Sequence, residues 1–337
     1  MALSLVACGG GGAASNGPAE YSAENPMQLR LASDAPLEHI ATGLNEEVCA
    51  AIAEKTGGRV QVQYLGASTL GSYETVYEEL MMGTIDFAQI TLPDATAPLL
   101  GCAYLPYYAT NYEQAKDLLA PDGVMATTIG EITAEQGVRF LGFCLEGFIG
   151  LGSTKEIPNL LDIDADKGIK CRSANMVTFR YILEDLHYNP VAVAYNEVPT
   201  AIQTNVVDGW VGGTPNMNYA WVGDVINYMY VNYIHPEATS YVASQKTLDK
   251  LTEEDRAIVI ECFEQASADS FVKAEENEKV FIQKLQDDYG VEVIEYTPEQ
   301  IAPIAEYVRD VTWTRLEADL GSDFINACRA DVEAKGY

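Results

Sequence analysis

The sequence predicts an α/β protein with a mostly parallel sheet, divided into two domains. Short apolar or alternating runs are separated by helical periodicities, and this alternation continues through most of the chain. The 337 residues exceed what one core of ordinary size requires, which favours two domains. Hydrophobic residues make up 48% of the chain, as in globular rather than disordered proteins.

The first half of the chain alternates regularly between strands and helices. A strand is predicted near 29–33 and another at 60–64, where apolar and polar residues alternate. The helix between them presents an apolar face made of Leu37, Ile40, Leu44, Val48 and Ile52. A helix over 75–82, stopped by Gly83, and a strand at 85–91 complete this set.

A second α/β set follows an extended crossing segment at 146–153. Its predicted strands lie at 169–172, 190–194 and 206–211, and its predicted helices at 175–187 and 197–204. A longer helix begins after Thr252, which has capping-box spacing to Asp255, and continues to about Asp288. A helix of about 35 residues spans about 50 Å, more than the diameter of one small domain.

The charge balance excludes some classes of function. Fifty acidic and 20 basic residues give a formal charge of −30, whereas nucleic-acid binding requires a basic surface. Any anionic ligand must therefore be held by a local positive charge. The sequence contains no phosphate-binding loop, nucleophile elbow or His-Glu-x-x-His motif, so neither catalysis nor a cofactor is expected.

Histidines and cysteines do not form a recognisable metal or redox motif. The three histidines stand at unrelated positions, so no histidine-built metal site is expected. Six cysteines beyond the N-terminal region are scattered without a Cys-x-x-Cys pair. Several of them lie in apolar patterns, which predicts buried thiols.

The N-terminal segment resembles that of a bacterial lipoprotein. Leu5-Val6-Ala7-Cys8 is similar to a lipobox and is followed by a tract rich in Gly, Ala and Ser. The resemblance implies cleavage of a signal peptide and lipid attachment at Cys8, with residues 1–26 as leader remnant and flexible tether. The alternative is a remnant without a role.

Arg172 is the strongest candidate for a ligand-binding charge. It ends a short apolar strand and precedes a small polar turn and a helix. Open α/β sheets build their ligand crevices at such strand ends. Taken alone, an arginine is more often an ordinary surface residue, and the surrounding motifs decide between these interpretations.

Two blocks of the sequence resemble the solute-binding proteins of TRAP (tripartite ATP-independent periplasmic) transporters, the C4-dicarboxylate-binding-protein-like family. The matching residues are Asp166-Lys167-Gly168-Ile169-Lys170-Cys171-Arg172, Pro190, Asn196-Glu197-Val198, Ala201-Ile202-Gln203 and Val207-Asp208-Gly209. The segment from Gly57 to Ile90 resembles an N-terminal motif of the same family. Together the resemblance covers about residues 28–315.

This resemblance implies a two-lobed, periplasmic-binding-protein-like fold with crossing strands and a long helix spanning both lobes. Lobe 1 is expected at 27–148 plus about 237–277, and lobe 2 at 149–236 plus about 278–337. The implied function is capture of a small organic acid between the lobes and delivery to TRAP permease subunits in the membrane. The implied location is the periplasm or the outer face of the cytoplasmic membrane, with a lipid anchor.

The resemblance also implies a set of ligand-binding residues. Arg172 matches the family arginine that pairs with the ligand carboxylate. The other expected contacts are Ser33, Tyr73 and Thr91 from the first lobe and Trp210 and Asn216 from the second. Core or turn roles are the ordinary alternatives for these five residues.

Departures from the family pattern bear on specificity. Ile149 stands where many members carry a second arginine, Gly212 where they carry an amide, and Trp210 where they carry a polar residue. We therefore expect one carboxylate anchor and a ligand with an apolar or aromatic body, and weak binding of succinate, malate and fumarate.

Three alternative functions remain open at this level. The chain could serve a sensory or ABC-type system, or it could be a cleft enzyme that uses its surplus carboxylates on a small acid. A cation-binding surface protein is less favoured, because no Asp-x-Asp-x-Asp-Gly loop is present.

Overall fold

A single mixed sheet runs through the protein, which we describe from a computed structural model covering residues 20–337. Its nine strands are β1 (Met27–Ser33), β2 (Val60–Leu65), β3 (Phe87–Ile90), β4 (Val138–Ser153), β5 (Lys170–Ser173), β6 (Asn189–Ala192), β7 (Gly209–Gly213), β8 (Tyr228–Ser244) and β9 (Glu292–Glu295). The predicted lipid-attachment residue Cys8 lies outside the described residues.

Eleven helices surround this sheet in the described part of the chain. They are α1 (Ile40–Lys55), α2 (Tyr73–Met82), α3 (Tyr112–Leu118), α4 (Val124–Glu135), α5 (Val177–Asp185), α6 (Val198–Gln203), α7 (Pro215–Val222), α8 (Gln245–Leu248), α9 (Glu253–Tyr289), α10 (Pro298–Leu320) and α11 (Ser322–Ala334). Short 3-10 helices occur at Pro98–Tyr104 and Tyr195–Glu197. In residues 20–337, no helix is both long and apolar enough to cross a membrane.

Two parallel groups of strands flank a central antiparallel pair. The order is β2-β1-β3-β8-β4-β7-β5-β6, and β9 pairs with β8. Strands β2, β1 and β3 are parallel to one another, as are β7, β5 and β6. Between the groups, β4 and β8 are antiparallel to each other and to their outer neighbours. The predicted alternation of strands and helices is confirmed, and β4 contains the predicted crossing segment.

A bulge interrupts the pairing of the two crossing strands near their middle. Leu145 pairs with Ala238 and Phe148 with Pro236, so Glu146 and Gly147 together oppose Glu237. Gly147 has a φ of +134°, which side-chain-bearing residues rarely adopt. Bulges bend a strand and re-aim its side chains. Here the bulge brings two carboxylates to the same point of the sheet.

The predicted long helix is confirmed as α9, which has 37 residues and packs against both α1 and α7. Thr252 caps it by accepting a hydrogen bond from the Asp255 backbone N–H at 3.1 Å. The reciprocal half of the predicted capping box is replaced, because the Asp255 carboxylate pairs with Arg59 at 2.6 Å. It also accepts a hydrogen bond from the Tyr21 hydroxyl at 2.8 Å.

Some elements differ from the sequence predictions. Leu37 was assigned to the apolar face of the first helix, but it is 75% exposed and lies before the helix, which begins after the His39 cap. The region 98–135 contains a 3-10 helix, α3 and α4, none of which the sequence pattern predicted. Five of the six described cysteines are buried free thiols, as expected, and Cys49 is half-buried.

The C-terminal helices α10 and α11 pack against each other and against other helices of the protein. Helix α10 contacts α5 and the 3-10 helix at Pro98–Tyr104. The Trp313 indole N–H donates to the Pro106 carbonyl at 2.8 Å. The boundaries assigned to the two lobes stay a prediction.

A buried carboxylate lies in the middle of α9. Glu278 is 5% exposed and accepts hydrogen bonds from the hydroxyls of Tyr112 at 2.8 Å and Tyr233 at 3.5 Å. Burial raises the pKa of Glu278 from its ordinary value of 4.5 to about 7. Because the folded protein holds this proton more tightly than the unfolded chain, the stability contributed by the neutral form is lost as pH rises from about 4.5 to about 7.

We therefore expect Glu278→Gln to raise the free energy of unfolding by about 1–3 kcal/mol at pH 8 and to change it little at pH 4.5. The neutral amide avoids burying a charge at pH 8. Urea unfolding of both proteins across this pH range measures the difference. Glu276→Gln, an exposed carboxylate on the same helix, is the control and should show no such trend. An equal effect at both pH values would contradict this account.

Candidate functional site

A cavity lies where the carboxyl ends of the parallel strands meet the middle of the crossing strands. The ends of β1, β3, β5 and β7 all reach it, as expected for a ligand crevice in an α/β sheet. It encloses about 600 Å³, part of it open to solvent. Its wall comprises Asp34, Ala35, Tyr73, Gln89, Ile90, Thr91, Tyr104, Glu146, Arg172, Ala174, Met176, Phe179, Tyr195, Gly212, Met217, Glu237 and Thr239.

Arg172 lines this cavity from the end of β5. It is 3% exposed, and its Nε donates to the Val193 carbonyl at 3.0 Å while its Nη1 donates to the Val211 carbonyl at 3.4 Å. None of the ion pairs within residues 20–337 includes Arg172. Burial lowers its pKa to about 10, so the guanidinium remains charged at neutral pH. The backbone carbonyls orient the side chain without neutralising it.

Gly212 gives the guanidinium the space it occupies. A Cβ built on Gly212 would lie 2.8 Å from Arg172 Nη1, closer than carbon and nitrogen atoms approach one another. The φ of Gly212 is +138°, a conformation that strongly favours glycine. The family amide that Gly212 replaces would therefore require the guanidinium to move.

Three carboxylates line the same cavity. Asp34 follows β1, Glu146 lies at the bulge of β4, and Glu237 opposes it on β8. Burial raises the pKa values of Asp34 and Glu237 to about 7. The pKa of Glu146 is raised by burial and by the neighbouring charge of Glu237. Removal of these carboxylates from water therefore makes their ionisation costly near neutral pH.

Hydrogen bonds hold two of the carboxylates in place. Glu237 accepts a bond from the Tyr104 hydroxyl at 2.7 Å, and that hydroxyl lies 2.9 Å from Thr91 Oγ1. Glu146 Oε1 accepts from Gln89 Nε2 at 2.7 Å and from Thr239 Oγ1 at 2.6 Å. These hydrogen bonds within the protein fix the positions of Glu146 and Glu237.

His39 faces the other oxygen of Glu146. Its Nδ1 accepts the Ala41 backbone N–H at 3.3 Å, so the proton of a neutral imidazole lies on Nε2, 3.4 Å from Glu146 Oε2. Burial lowers the pKa of His39 to about 3, which keeps the ring uncharged at neutral pH. His39 therefore lies beside Glu146 as a neutral ring whose Nε2 makes no hydrogen bond within residues 20–337, and it adds no positive charge.

Three of the predicted site residues, Arg172, Tyr73 and Thr91, line the cavity. Ser33 does not, because its hydroxyl donates to Gln89 Oε1 at 2.7 Å from behind the wall. Gln89 also accepts from Asn45 Nδ2 at 3.1 Å, so its amide is turned toward Glu146. Ser33 therefore contacts the site indirectly, by holding the side chain of Gln89 in place.

Trp210 and Asn216 were predicted as ligand contacts, and the structure places both away from the cavity wall. Trp210 is fully buried in the core and donates its indole N–H to Asn218 Oδ1 at 2.9 Å. Asn216 joins α7 to the start of α1, where its Oδ1 accepts the Ile40 backbone N–H at 2.9 Å. It also accepts from Asn277 Nδ2 on α9 at 3.3 Å.

The expectation of an apolar or aromatic ligand body rested on Ile149 and Trp210. Both side chains are buried, and neither is part of the cavity wall. These two residues therefore do not support the expectation, which stays a prediction, and the cavity wall contains three carboxylates and three tyrosines besides apolar groups. The sequence analysis missed Asp34, Glu146 and Glu237. An acidic residue inside an apolar run, as in Leu145-Glu146-Gly147-Phe148, is a signal that could have identified Glu146.

Residues 31–317 match the family model described as bacterial extracellular solute-binding protein, family 7. The chain belongs to this family. The resemblance drawn from the sequence motifs is therefore confirmed, and the family is one of binding proteins rather than enzymes. Of the described residues, no group of three His, Cys, Asp or Glu side chains is placed to hold a metal ion.

Curated relatives in this family are distant in sequence. The protein YiiZ of Salmonella typhimurium is 29% identical over 215 residues, which cover 62% of this chain and 63% of the relative. A solute-binding protein of Chromohalobacter salexigens is 25% identical over 251 residues, or 72% of each chain.

Solved structures of family members share the fold. A sugar acid binding protein from Advenella mimigardefordensis, in complex with galactonate, has a TM-score of 0.81 at 19% identity and covers 92% of this chain and 99% of its own. A TRAP periplasmic solute-binding protein from Sulfitobacter, with bound β-D-galacturonate, has a TM-score of 0.78 at 24% identity, over 90% and 99%. One from Desulfovibrio salexigens, with bound orotic acid, has a TM-score of 0.81 at 17% identity, over 91% and 99%. The predicted two-lobed TRAP-type fold is thereby confirmed.

We expect Gly212→Ala to lower the free energy of unfolding by about 1–3 kcal/mol, because it forces an alanine into an unfavourable φ and displaces Arg172. Chemical unfolding in the absence of ligand measures this effect. Gly130→Ala is the control. Gly130 lies inside α4, and a Cβ added there would meet no other atom within 4 Å, so this substitution should stabilise the protein slightly. Equal stability of the two variants would show that Gly212 is not constrained.

Proposed function

We propose that this family member captures a small organic acid in the cavity beside Arg172 and delivers it to a TRAP-type permease in the membrane. The observation that carries the proposal is the buried guanidinium of Arg172, which forms no ion pair with a carboxylate within residues 20–337. A buried ion without a counter-ion loses several kcal/mol of solvation. A ligand carboxylate would supply the missing charge through two parallel N–H···O bonds.

The ligands of the structural neighbours support an organic acid. Galactonate, β-D-galacturonate and orotic acid each carry one carboxylate. In this chain, Arg172 is the one basic side chain among the described residues of the cavity wall. A single carboxylate anchor therefore fits the charges present, and the expected weak binding of succinate, malate and fumarate stays a prediction.

The position of the cavity supports capture by closure of two lobes. Asp34 and Thr91 follow strands on one side of the crossing pair, whereas Arg172 and Gly212 belong to strands on the other side. A ligand that touches both sides is enclosed when they approach each other. Hinge bending at the crossing strands would provide this motion.

The alternative functions differ from this one in measurable ways. A cleft enzyme would alter the bound acid, whereas a transport receptor releases it unchanged, which NMR of the recovered ligand distinguishes. A sensory or ABC-type receptor would lack TRAP permease genes beside its own. The family description favours solute binding over catalysis but does not name the partner.

The sequence motif around Cys8 supports lipid anchoring of the mature protein. Leu5-Val6-Ala7-Cys8 is followed by a tract rich in small residues, a composition suited to a tether between the binding domain and the membrane surface. A tethered receptor stays close to its permease, which raises its effective concentration there.

Arg172→Ala should weaken binding of the acid by at least about 30-fold, because loss of one partner of a buried charge pair costs roughly 2–5 kcal/mol. A thermal-shift screen of organic acids identifies a ligand, and titration calorimetry then compares the variants. A ligand at 100 times its Kd adds about 2.7 kcal/mol of stability, which is easily detected. Arg180→Ala, an exposed arginine on the adjacent α5, is the matched control. Near-normal affinity in a folded Arg172→Ala protein would overturn the proposal.

Cys8→Ser should shift the protein from the membrane fraction to the soluble fraction when it is expressed behind a complete secretion leader. The reason is that the thioether-linked lipid requires the cysteine sulfur. Fractionation and mass spectrometry of the N-terminal peptide measure the change. Cys49→Ser removes a cysteine from α1 instead and should leave the protein membrane-bound. Identical soluble behaviour of all three proteins would refute lipid anchoring.

A further inference from the structure

The cavity contains more negative than positive side chains. Asp34, Glu146 and Glu237 face a space in which Arg172 is the one basic group among the described wall residues. Once a ligand carboxylate has paired with Arg172, these two charges cancel. Each of the three acidic side chains that ionises is then left without a counter-ion in an enclosed site, which is unfavourable.

The neighbouring groups provide hydrogen bonds but no positive charge. His39 is uncharged beside Glu146, and burial raises the pKa values of the phenols of Tyr73, Tyr104 and Tyr195, so they stay neutral. Glu74 and Asp94 lie close enough to Asp34 or Tyr73 to add negative potential. The only cation that acts on Glu237 is Arg172, which forms no ion pair with it within residues 20–337.

The spacing of the carboxylates argues against a single metal ion as the missing charge. No three acidic or histidine side chains in the described part of the chain are close enough together to coordinate one. An organic cation does not need such a cage, because an ammonium group can be stabilised by one or two carboxylates and by aromatic rings beside them. Tyr104 and Phe179 stand in this wall with their rings 5.3 Å apart.

Resting on the proposed function, we infer that the preferred ligand is a zwitterion, with its carboxylate on Arg172 and a positively charged nitrogen facing Asp34, Glu146 and Glu237. Arg172 and the carboxylates belong to different elements of the cavity and form no ion pair with one another within residues 20–337. Arg172 projects from the end of β5, whereas Glu146 and Glu237 project from the crossing strands and Asp34 from the end of β1. A molecule with opposite charges at its two ends matches this arrangement, and amino acids and betaine-like compounds have this chemistry.

A hydroxylated acid without a nitrogen is the rival ligand. Its hydroxyls can donate hydrogen bonds to carboxylates, but they do not balance charge. Such a ligand would favour protonated side chains at Asp34 and Glu237, whose pKa values in the empty cavity are raised to about 7. The two ligand types therefore differ in how their affinity depends on pH.

The direction of this dependence follows from linkage. A cationic nitrogen lowers the pKa values of the carboxylates it contacts, so its binding releases protons and tightens as pH rises through 7. If a carboxyl group has a pKa of about 7 in the empty cavity and is fully ionised in the complex, the affinity for the zwitterion increases about tenfold between pH 6 and pH 8. This increase applies to each carboxylate that the cation contacts. An anionic ligand without a cation raises these pKa values further, so its affinity falls over the same range.

The test uses matched pairs of probes that differ at one end. 4-Aminobutyrate and 5-aminovalerate are compared with their matched counterparts 4-hydroxybutyrate and 5-hydroxyvalerate. Proline and glycine betaine are added as further zwitterions, and D-galactonate and D-galacturonate as further hydroxy acids, without a matched partner. Thermal shift at pH 8 selects binders, and titration calorimetry at pH 6 and pH 8 measures their affinities. We expect a zwitterion to bind at least about 30-fold more tightly than its hydroxy-acid counterpart, and more tightly at pH 8 than at pH 6.

Two isosteric variants test the negative pole independently. Glu237→Gln and Asp34→Asn should each weaken zwitterion binding by at least about tenfold and reduce its pH dependence. Both variants keep a carbonyl acceptor, so hydroxy acids should bind to them no less well than to the native protein. Glu78→Gln is the control, because Glu78 is an exposed carboxylate on α2 that is not part of the cavity wall.

The outcomes separate this inference from the function on which it rests. Tight binding of hydroxy or sugar acids that weakens as pH rises, without zwitterion binding, would overturn the inference and leave capture of an organic acid intact. Zwitterion binding that is unaffected by both Glu237→Gln and Asp34→Asn would also overturn it. Arg172→Ala with unchanged affinity for every probe that binds would overturn the proposed function itself.

Discussion

The antiparallel pair of β4 and β8 is the constraint on which the rest of the structure depends. These strands of 16 and 17 residues hold a parallel group of strands on each side, so they are the shared element of both lobes. The bulge at Glu146 interrupts their ladder at the same place where the parallel strands end. The register of β4 against β8 therefore determines their backbone pairing, the connection between the lobes and the position of the acidic residues in the cavity. A shift of that register would move Glu146 and Glu237 apart and separate the lobes from the site.

The ionisable groups of the cavity are buried in an electrostatically unfavourable environment, which a ligand of complementary charge would improve. Arg172 is charged and buried and forms no ion pair in the described part of the chain, and the pKa values of Asp34 and Glu237 are raised by burial. Groups of this kind destabilise the ligand-free protein, and a partner of the right charge recovers the lost solvation. Affinity and stability are thus linked in this fold. The formal charge of −30 is spread over a solvated surface and is screened, so it does not select the ligand.

The sequence predicted the elements whose signals are local and missed those that depend on distant pairing. Arg172 was identifiable because a strand, a polar turn and a helix follow one another in the chain and match a family motif. Asp34, Glu146 and Glu237 were not, since fifty acidic residues offer many candidates and only the pairing of β4 with β8 brings these together. The sequence could not decide whether Trp210 is a core residue or a ligand contact, because a strand-end tryptophan has the same sequence signal in either role, and the structure places it in the core. The 3-10 helix at Pro98–Tyr104 lacks a helical periodicity of its own, so the pattern gave no sign of it.

The start of α1 connects the negative pole of the cavity to the contact between α1 and α7. His39 caps this helix and faces Glu146, and the next residue, Ile40, donates its backbone N–H to Asn216 of α7. Two consecutive residues therefore touch the cavity carboxylate on one side and the opposite half of the sheet on the other. The positive end of the α1 dipole adds to this arrangement, because it favours negative charge at Glu146 and at the Asn216 oxygen alike. In the proposed function, a ligand charge beside Glu146 would act on the same helix terminus that α7 contacts, and this shared terminus would couple ligand binding to the proposed closure of the lobes.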